Sequence, residues 1–233
     1  MEKTNEQFCL TLLNNRENLY RLLARIYFEE ADEAFLNRLR GMGFPSRCGD
    51  AEMEEGFRLM EEYLKNVKSA SGDAVTDLAV DYARVFLGAG IAVLDAAYPY
   101  ESVYTSGKRI IMQKARDEVV GLYLEKGLKK SESLDFPEDH VALELEFMAF
   151  LCAEAKRHVE AGDYPAAAAC CGEQKVFLGR HLLNWVPGFC ADVLKYSATE
   201  FYRAAAKITA GFLRMDNVML ESLIAGIEQN EQN

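Results

Sequence analysis

Phe136-Pro137-Glu138-Asp139-His140-Val141-Ala142-Leu143-Glu144-Leu145-Glu146-Phe147-Met148 decides how this chain is read. Pro beside Glu138 and Asp139 has the composition of a helix first turn, since proline is pre-set for that position and carboxylates favour the positive end of the dipole. Apolar residues then surround the axis. Val141, Leu145, Met148 and Cys152 form one stripe, and Leu143, Phe147, Phe150 and Leu151 fill much of the rest. A helix this apolar is buried on most sides. It nevertheless carries His140, Glu144 and Glu146, and buried charge is costly unless it is paired or meets a charged ligand. Function is therefore sought here.

Outward from this stretch, helical periodicity dominates and no alternating strand pattern of useful length occurs. Thr4-Asn5-Glu6-Gln7 has capping-box form and predicts a helix running to about Phe28. A short helix is expected over Asp32–Arg40, then one capped by Asp50, then a break at Ser71-Gly72-Asp73. The next helix carries Val75, Leu78, Tyr82 and Phe86 inward, with Asp81 and Arg84 outward. Gly88 to Ser106 reads as a long loop, and long loops in compact domains are often functional. Lys108–Lys126 reads as an amphipathic helix. The signature helix is expected to end near Ala161-Gly162. Asp163 caps another, with Pro165 in its first turn, running toward Trp185, which reads as core. Pro187-Gly188 starts a shorter helix to about Tyr196. Ser197-Ala198-Thr199-Glu200 is a second capping box, and a last helix spans roughly Asp216 to Glu228. The expected fold is all-α, a single helical domain of about ten helices. It divides into subdomain 1–130, a polar linker 131–136 and subdomain 137–233.

Composition narrows the function. A formal net charge of −11 over 233 residues argues against a nucleic-acid partner, which needs clustered Lys and Arg, and favours basic partners. No apolar run reaches the ~20 residues of a membrane span. Met1-Glu2-Lys3-Thr4-Asn5-Glu6 has neither a basic region nor an apolar signal core, so a cytoplasmic location is expected, without membrane insertion. The six cysteines show no C-x-x-C pairing or finger spacing and read as free thiols.

His140 and Glu144 lie four apart, on one helix face. A bundle metal site would need further Glu or His in E-x-x-H context, and neither His158 nor His181 has it. No nucleophile elbow or phosphate-cradling loop is present, so no catalytic, cofactor-binding or metal residue is assigned. Tyr98-Pro99-Tyr100-Glu101-Ser102-Val103-Tyr104 concentrates aromatics around one carboxylate. It reads either as a packed surface loop or as a peptide-contacting surface in which Glu101 meets a basic side chain.

Pro137-Glu138-Asp139-His140 followed by Glu144-Leu145-Glu146-Phe147-Met148 resembles the P-x-D-H…E-L-x-F-M signature of the TorD/DmsD/NarJ family. Tyr98–Tyr104 looks like the same family's loop, in the expected order. One departure is that Gly88-Ala89-Gly90 stands where many relatives read Gly-Pro. The resemblance implies a TorD-like fold and a non-catalytic cytoplasmic chaperone. Its partners would be a molybdenum-cofactor oxidoreductase apoprotein and that enzyme's twin-arginine signal peptide, which it holds until the cofactor is inserted. The chaperone would be a monomer or homodimer. The implied peptide-binding residues are Tyr98, Pro99, Tyr100, Glu101, Ser102, Tyr104, Asp139, His140 and Glu144. Guanine nucleotide and handling of the molybdopterin cofactor enter by resemblance only. Two other classes compete: a helical-bundle metalloenzyme and a regulatory scaffold that binds a folded protein.

Overall fold

The structure, a computed structural model, describes residues 2–67, 72–90 and 96–231. Among them are ten α-helices, one π-helical turn and no strand. The helices are α1 Glu2–Phe28, α2 Glu33–Arg40, α3 Ala51–Asn66, α4 Gly72–Leu87 and α5 Glu101–Thr105. They continue with α6 Lys114–Glu125, α7 Val141–Glu160, α8 Tyr164–Phe177, α9 Val186–Tyr196 and α10 Glu200–Glu231, and the π turn Leu178–Leu182 prolongs α8. The fold is all-α.

The signature helix α7 is surrounded, as its composition requires. It packs against α1 on one side and α8 on another, and α10 runs beside α1, α3, α8 and α9. Val141, Leu145, Met148 and Cys152 are fully buried. Glycines let α3 and α10 approach closely. A Cβ on Gly56 would lie 2.8 Å from Ile208 Cγ1, and one on Gly211 would lie 2.6 Å from Met53 Cβ.

Several expected boundaries move, each for a physical reason. α7 begins at Val141, not Pro137, because Glu138 and Asp139 form a turn and His140 is held extended, paired with Tyr100. Asp50 and Asp163 cap as expected, and Asp32, expected inside α2, caps it instead. α1 already begins at Glu2, ahead of the Thr4–Gln7 box. Gly72 and Asp73 are already helical, and Ser71 lies outside the described residues.

The Ser197–Glu200 box is replaced by Asp81, which is buried rather than outward. Its carboxylate accepts from Ala198 N (3.0 Å), Thr199 N (2.8 Å), Ser197 Oγ (2.8 Å) and Thr199 Oγ1 (2.6 Å). Burial pushes the Asp81 carboxyl up, but these bonds outweigh it and hold it below the ordinary carboxylate value.

The expected helix start at Asp216 does not occur, and α10 runs through without interruption. Asp216 instead points inward to Arg16, Nη2 to Oδ2 2.9 Å, with Tyr20 donating to the same carboxylate at 2.6 Å. Gln174 accepts from Arg16 Nη1 at 2.6 Å, so α1, α8 and α10 meet on one buried guanidinium. Glu146, read as buried, is half exposed and pairs with Arg21 at 3.1 Å. All six cysteines are free thiols, and all but Cys48 are buried.

The long loop contains α5, and α6 starts at Lys114 rather than Lys108. Gly107, Arg109 and Met112 take left-handed backbone (φ +39°, 52° and 60°), which a continuous helix excludes.

Candidate functional site

The two blocks singled out in the sequence meet in space. Tyr100 and His140 form an isolated antiparallel bridge. Val141 N donates to Pro99 O (2.8 Å), and Glu101 N donates to Asp139 O (3.0 Å). Asp139 Oδ2 accepts from Ser102 N at 2.8 Å, so the carboxylate satisfies an amide of the α5 first turn. His140 caps α7, its Nδ1 accepting from Ala142 N at 3.1 Å, which leaves the ring proton on Nε2. The imidazole lies 4.5 Å from the Phe136 ring centroid and 5.2 Å from that of Tyr100. Burial pushes the His140 pKa down to about 3, so the ring is neutral at physiological pH.

Tyr100 and His140 face an open cleft of about 560 Å³. Phe28, Tyr82, Leu87 and Phe136 supply more of its apolar wall, and Glu29, Glu30, Asp32 and Asp135 its rim. All four carboxylates are exposed. Among the described residues, Arg25 is the one cation lining it, pairing with Glu29 at 3.1 Å and lying 4.5 Å from the centroid of the Phe35 ring. Burial, then the Asp139 and Asp135 charges, push the Tyr100 hydroxyl up to about 12. That phenol therefore stays a neutral donor.

The remaining predicted residues are not on this surface. Glu101 (2% exposed), Ser102, Asp139 and Glu144 (each 0%) are sealed beneath it. Glu101 turns inward, accepting from Asn184 Nδ2 (2.9 Å) and bonded to His181 Nδ1 (3.0 Å). Glu144 accepts from Trp185 Nε1 at 3.1 Å. Burial, then the nearby Glu101 charge, raise the Glu144 carboxyl well above its ordinary range, and burial also raises Asp139. One oxygen of each, Asp139 Oδ1 and Glu144 Oε1, has no hydrogen-bond partner among the described residues. His140 and Glu144 thus do not act as a pair on one face: His140 lines the cleft and Glu144 lies under Trp185.

Pro99 is buried. The Tyr98 hydroxyl lies over Gly88, where a Cβ would come within 2.5 Å of it, so the glycine at φ +69° is needed both for space and for conformation. Tyr104 points elsewhere, donating to Asp192 at 2.9 Å with its ring 5.5 Å from Trp185.

The residues missed are those of the acidic rim. The signal for three of them was present, since Glu29-Glu30-Ala31-Asp32 puts three carboxylates in four residues between two helices. Asp135 falls within the expected polar linker 131–136. Among the described residues, no group of three or more His, Cys, Asp or Glu side chains is arranged to hold a metal ion. No helix there is long and apolar enough to cross a membrane.

Comparison with known proteins adds to this geometry. The family model described as "Nitrate reductase delta subunit" matches residues 47–191, which include both bridged blocks. The Chaperone protein TorD of Vibrio cholerae is 29% identical over 92% of this chain and 96% of its own length. The protein of that name from Shewanella pealeana is 25% identical over 89% and 90%. A solved structure of a candidate redox enzyme maturation protein from Archaeoglobus fulgidus aligns with 88% of this chain and 93% of that one. Its TM-score is 0.44 and its identity 22%, too loose a match to bear on the site.

Proposed function

Because this chain belongs to the nitrate reductase delta subunit family, the TorD/NarJ family of chaperones, we propose that it is a non-enzymatic maturation chaperone for a molybdenum-cofactor oxidoreductase. In this reading it holds the twin-arginine signal peptide of that enzyme in the acidic cleft, in the cytoplasm, while the cofactor is inserted. The observation that carries the reading is the cleft's composition: four exposed carboxylates around a wall of Phe28, Tyr82, Leu87, Tyr100, Phe136 and His140. A leader with two arginines and an apolar stretch needs both parts. Guanidinium forks pair with carboxylates and also lie flat on aromatic rings. Arg25 already does both here, with Glu29 and Phe35, and so serves as an internal example of the contact. The apolar stretch would cover Phe28, Leu87 and Phe136, of which Leu87 is 60% exposed.

The buried residues then act by support. Asp139 and His140 anchor α5 and α7 to each other, and Glu101 fixes the first turn of α5 against the π turn. The role expected for Glu101 from the loop's composition changes from meeting a basic side chain to holding Tyr100 in place.

Calorimetry with a twin-arginine signal peptide tests the assignment. Glu30→Lys with Asp135→Lys should weaken binding by at least about tenfold, since each charge-assisted contact contributes roughly 1.5–3 kcal/mol. A peptide with both arginines changed to alanine should bind weakly to the native chain, and salt should weaken the native complex. Unchanged affinity of the folded double variant would defeat the assignment.

A further inference from the structure

On another face, α6, α7, α8 and the π turn enclose a second groove of about 480 Å³, the size of a small-molecule site. Leu122, Phe147, Leu151 and Phe177 give it apolar walls, and Val176 stands at its edge, 58% exposed. Two features mark one end as built for a polar group. His181 lines the groove although it is only 4% exposed. Its Nδ1 is engaged by Glu101, and Nε2 has no partner among the described residues. Arg180, beside it, is exposed and held by no ion pair or hydrogen bond among the described residues. Its nearby carboxylate, Glu118, is already paired with Lys114 at 2.7 Å. Lys126, the other cation of the groove, is committed to Glu173 at 2.5 Å.

The π turn is what brings this end together. Leu183 N donates to Leu178 O at 2.8 Å, an i→i+5 bond that widens the helix at Arg180 and His181. Such turns are rare and recur at functional sites.

We propose that this groove is a second ligand site, for a small apolar molecule carrying a single carboxylate held by the Arg180 fork, with His181 lining the same end and reporting its occupancy. Glu125 and Glu173 also line the groove, and their charges select against a dianion such as a phosphate monoester. None of its residues lines the acidic cleft, so the proposal stands or falls apart from the signal-peptide reading.

Octanoate is the probe, followed through the histidine imidazole NMR signals of the full chain. With three histidines in the sequence, each signal can be assigned by substitution. Octanoate should shift the His181 signal saturably and leave that of His158 unmoved. Arg180→Gln should weaken it at least about tenfold, the loss of one charge-assisted contact. Val176→Glu, at an exposed position, should weaken it by closing the apolar edge, and octylamine should not compete. Absence of a saturable shift at His181, unchanged affinity in the folded Arg180→Gln protein, or tighter binding of octyl phosphate than of octanoate would each overturn the proposal. Both variants should still bind the signal peptide.

Discussion

His140 ties the stability of this chain to pH in a direction that can be worked out in full. The imidazole is 4% exposed between Phe136 and Tyr100, and burial lowers its pKa from 6.5 to about 3. The unfolded chain takes up a proton on this ring as the pH falls through 6.5, whereas the native chain does so only near 3. Between those values the unfolded state binds more protons, so acidification favours unfolding. The neutral ring's contribution is complete above pH 6.5 and is lost progressively toward pH 3. At about 1.4 kcal/mol per pH unit, lowering the pH to 5 removes roughly 2 kcal/mol through this one group. His140→Asn removes the titration yet keeps an acceptor for Ala142 N, because asparagine is a good helix cap. Losing the ring contacts should cost roughly 1–2 kcal/mol at pH 7.5. Urea unfolding at pH 7.5 and 5.0 separates the two effects. The native chain should lose about 2 kcal/mol more than His140→Asn over that interval. Asp139 and Glu144, whose raised pKa values act in the opposite sense, are present in both proteins and largely cancel. Equal losses within about 0.5 kcal/mol would refute the reasoning.

Three further outcomes are expected. Arg16→Met strands the Asp216 carboxylate in the core and should cost about 3–5 kcal/mol by urea unfolding, much of it recovered when Asp216→Leu is added. Gly211→Ala puts a Cβ 2.5 Å from Asp50 Oδ1 and 2.6 Å from Met53 Cβ, so α3 must shift. A loss of about 1–3 kcal/mol should appear as a lower thermal midpoint. Asp139→Ala removes the acceptor for Ser102 N and should lose about 1–2 kcal/mol, whereas Asp139→Asn keeps it and, without a carboxyl of raised pKa, should match or exceed the native chain at pH 7.5.

What could be read from the sequence follows the range of the forces involved. The apolar surround of Val141–Cys152 and the caps at Asp50 and Asp163 are local, and they are legible. Pro137 misled because the segment Asp139-His140 pairs with residues nearly forty positions earlier, which propensity cannot register. Asp81 and Asp216 look like surface and cap residues by composition. Their partners are Thr199 and Arg16, reached only through tertiary packing. The cleft was half legible: Tyr100 and His140 carried motif signals, while Glu29, Glu30, Asp32 and Asp135 looked like ordinary solvated charge. Glu101, Asp139 and Glu144, expected to bind peptide, are buried, and residue type alone does not say whether a carboxylate faces a ligand or its own scaffold.

The Arg16–Asp216 contact has a consequence for how the chain is made. Synthesis delivers Arg16 200 residues before its counter-ion. Until α10 leaves the ribosome, the guanidinium has no Asp216 to meet, and the glycine of α3 at Gly56 has no Ile208 to rest on. Before that point α1 and α3 lack the neighbour they share, while α1, α7 and α8 already have one another to pack against.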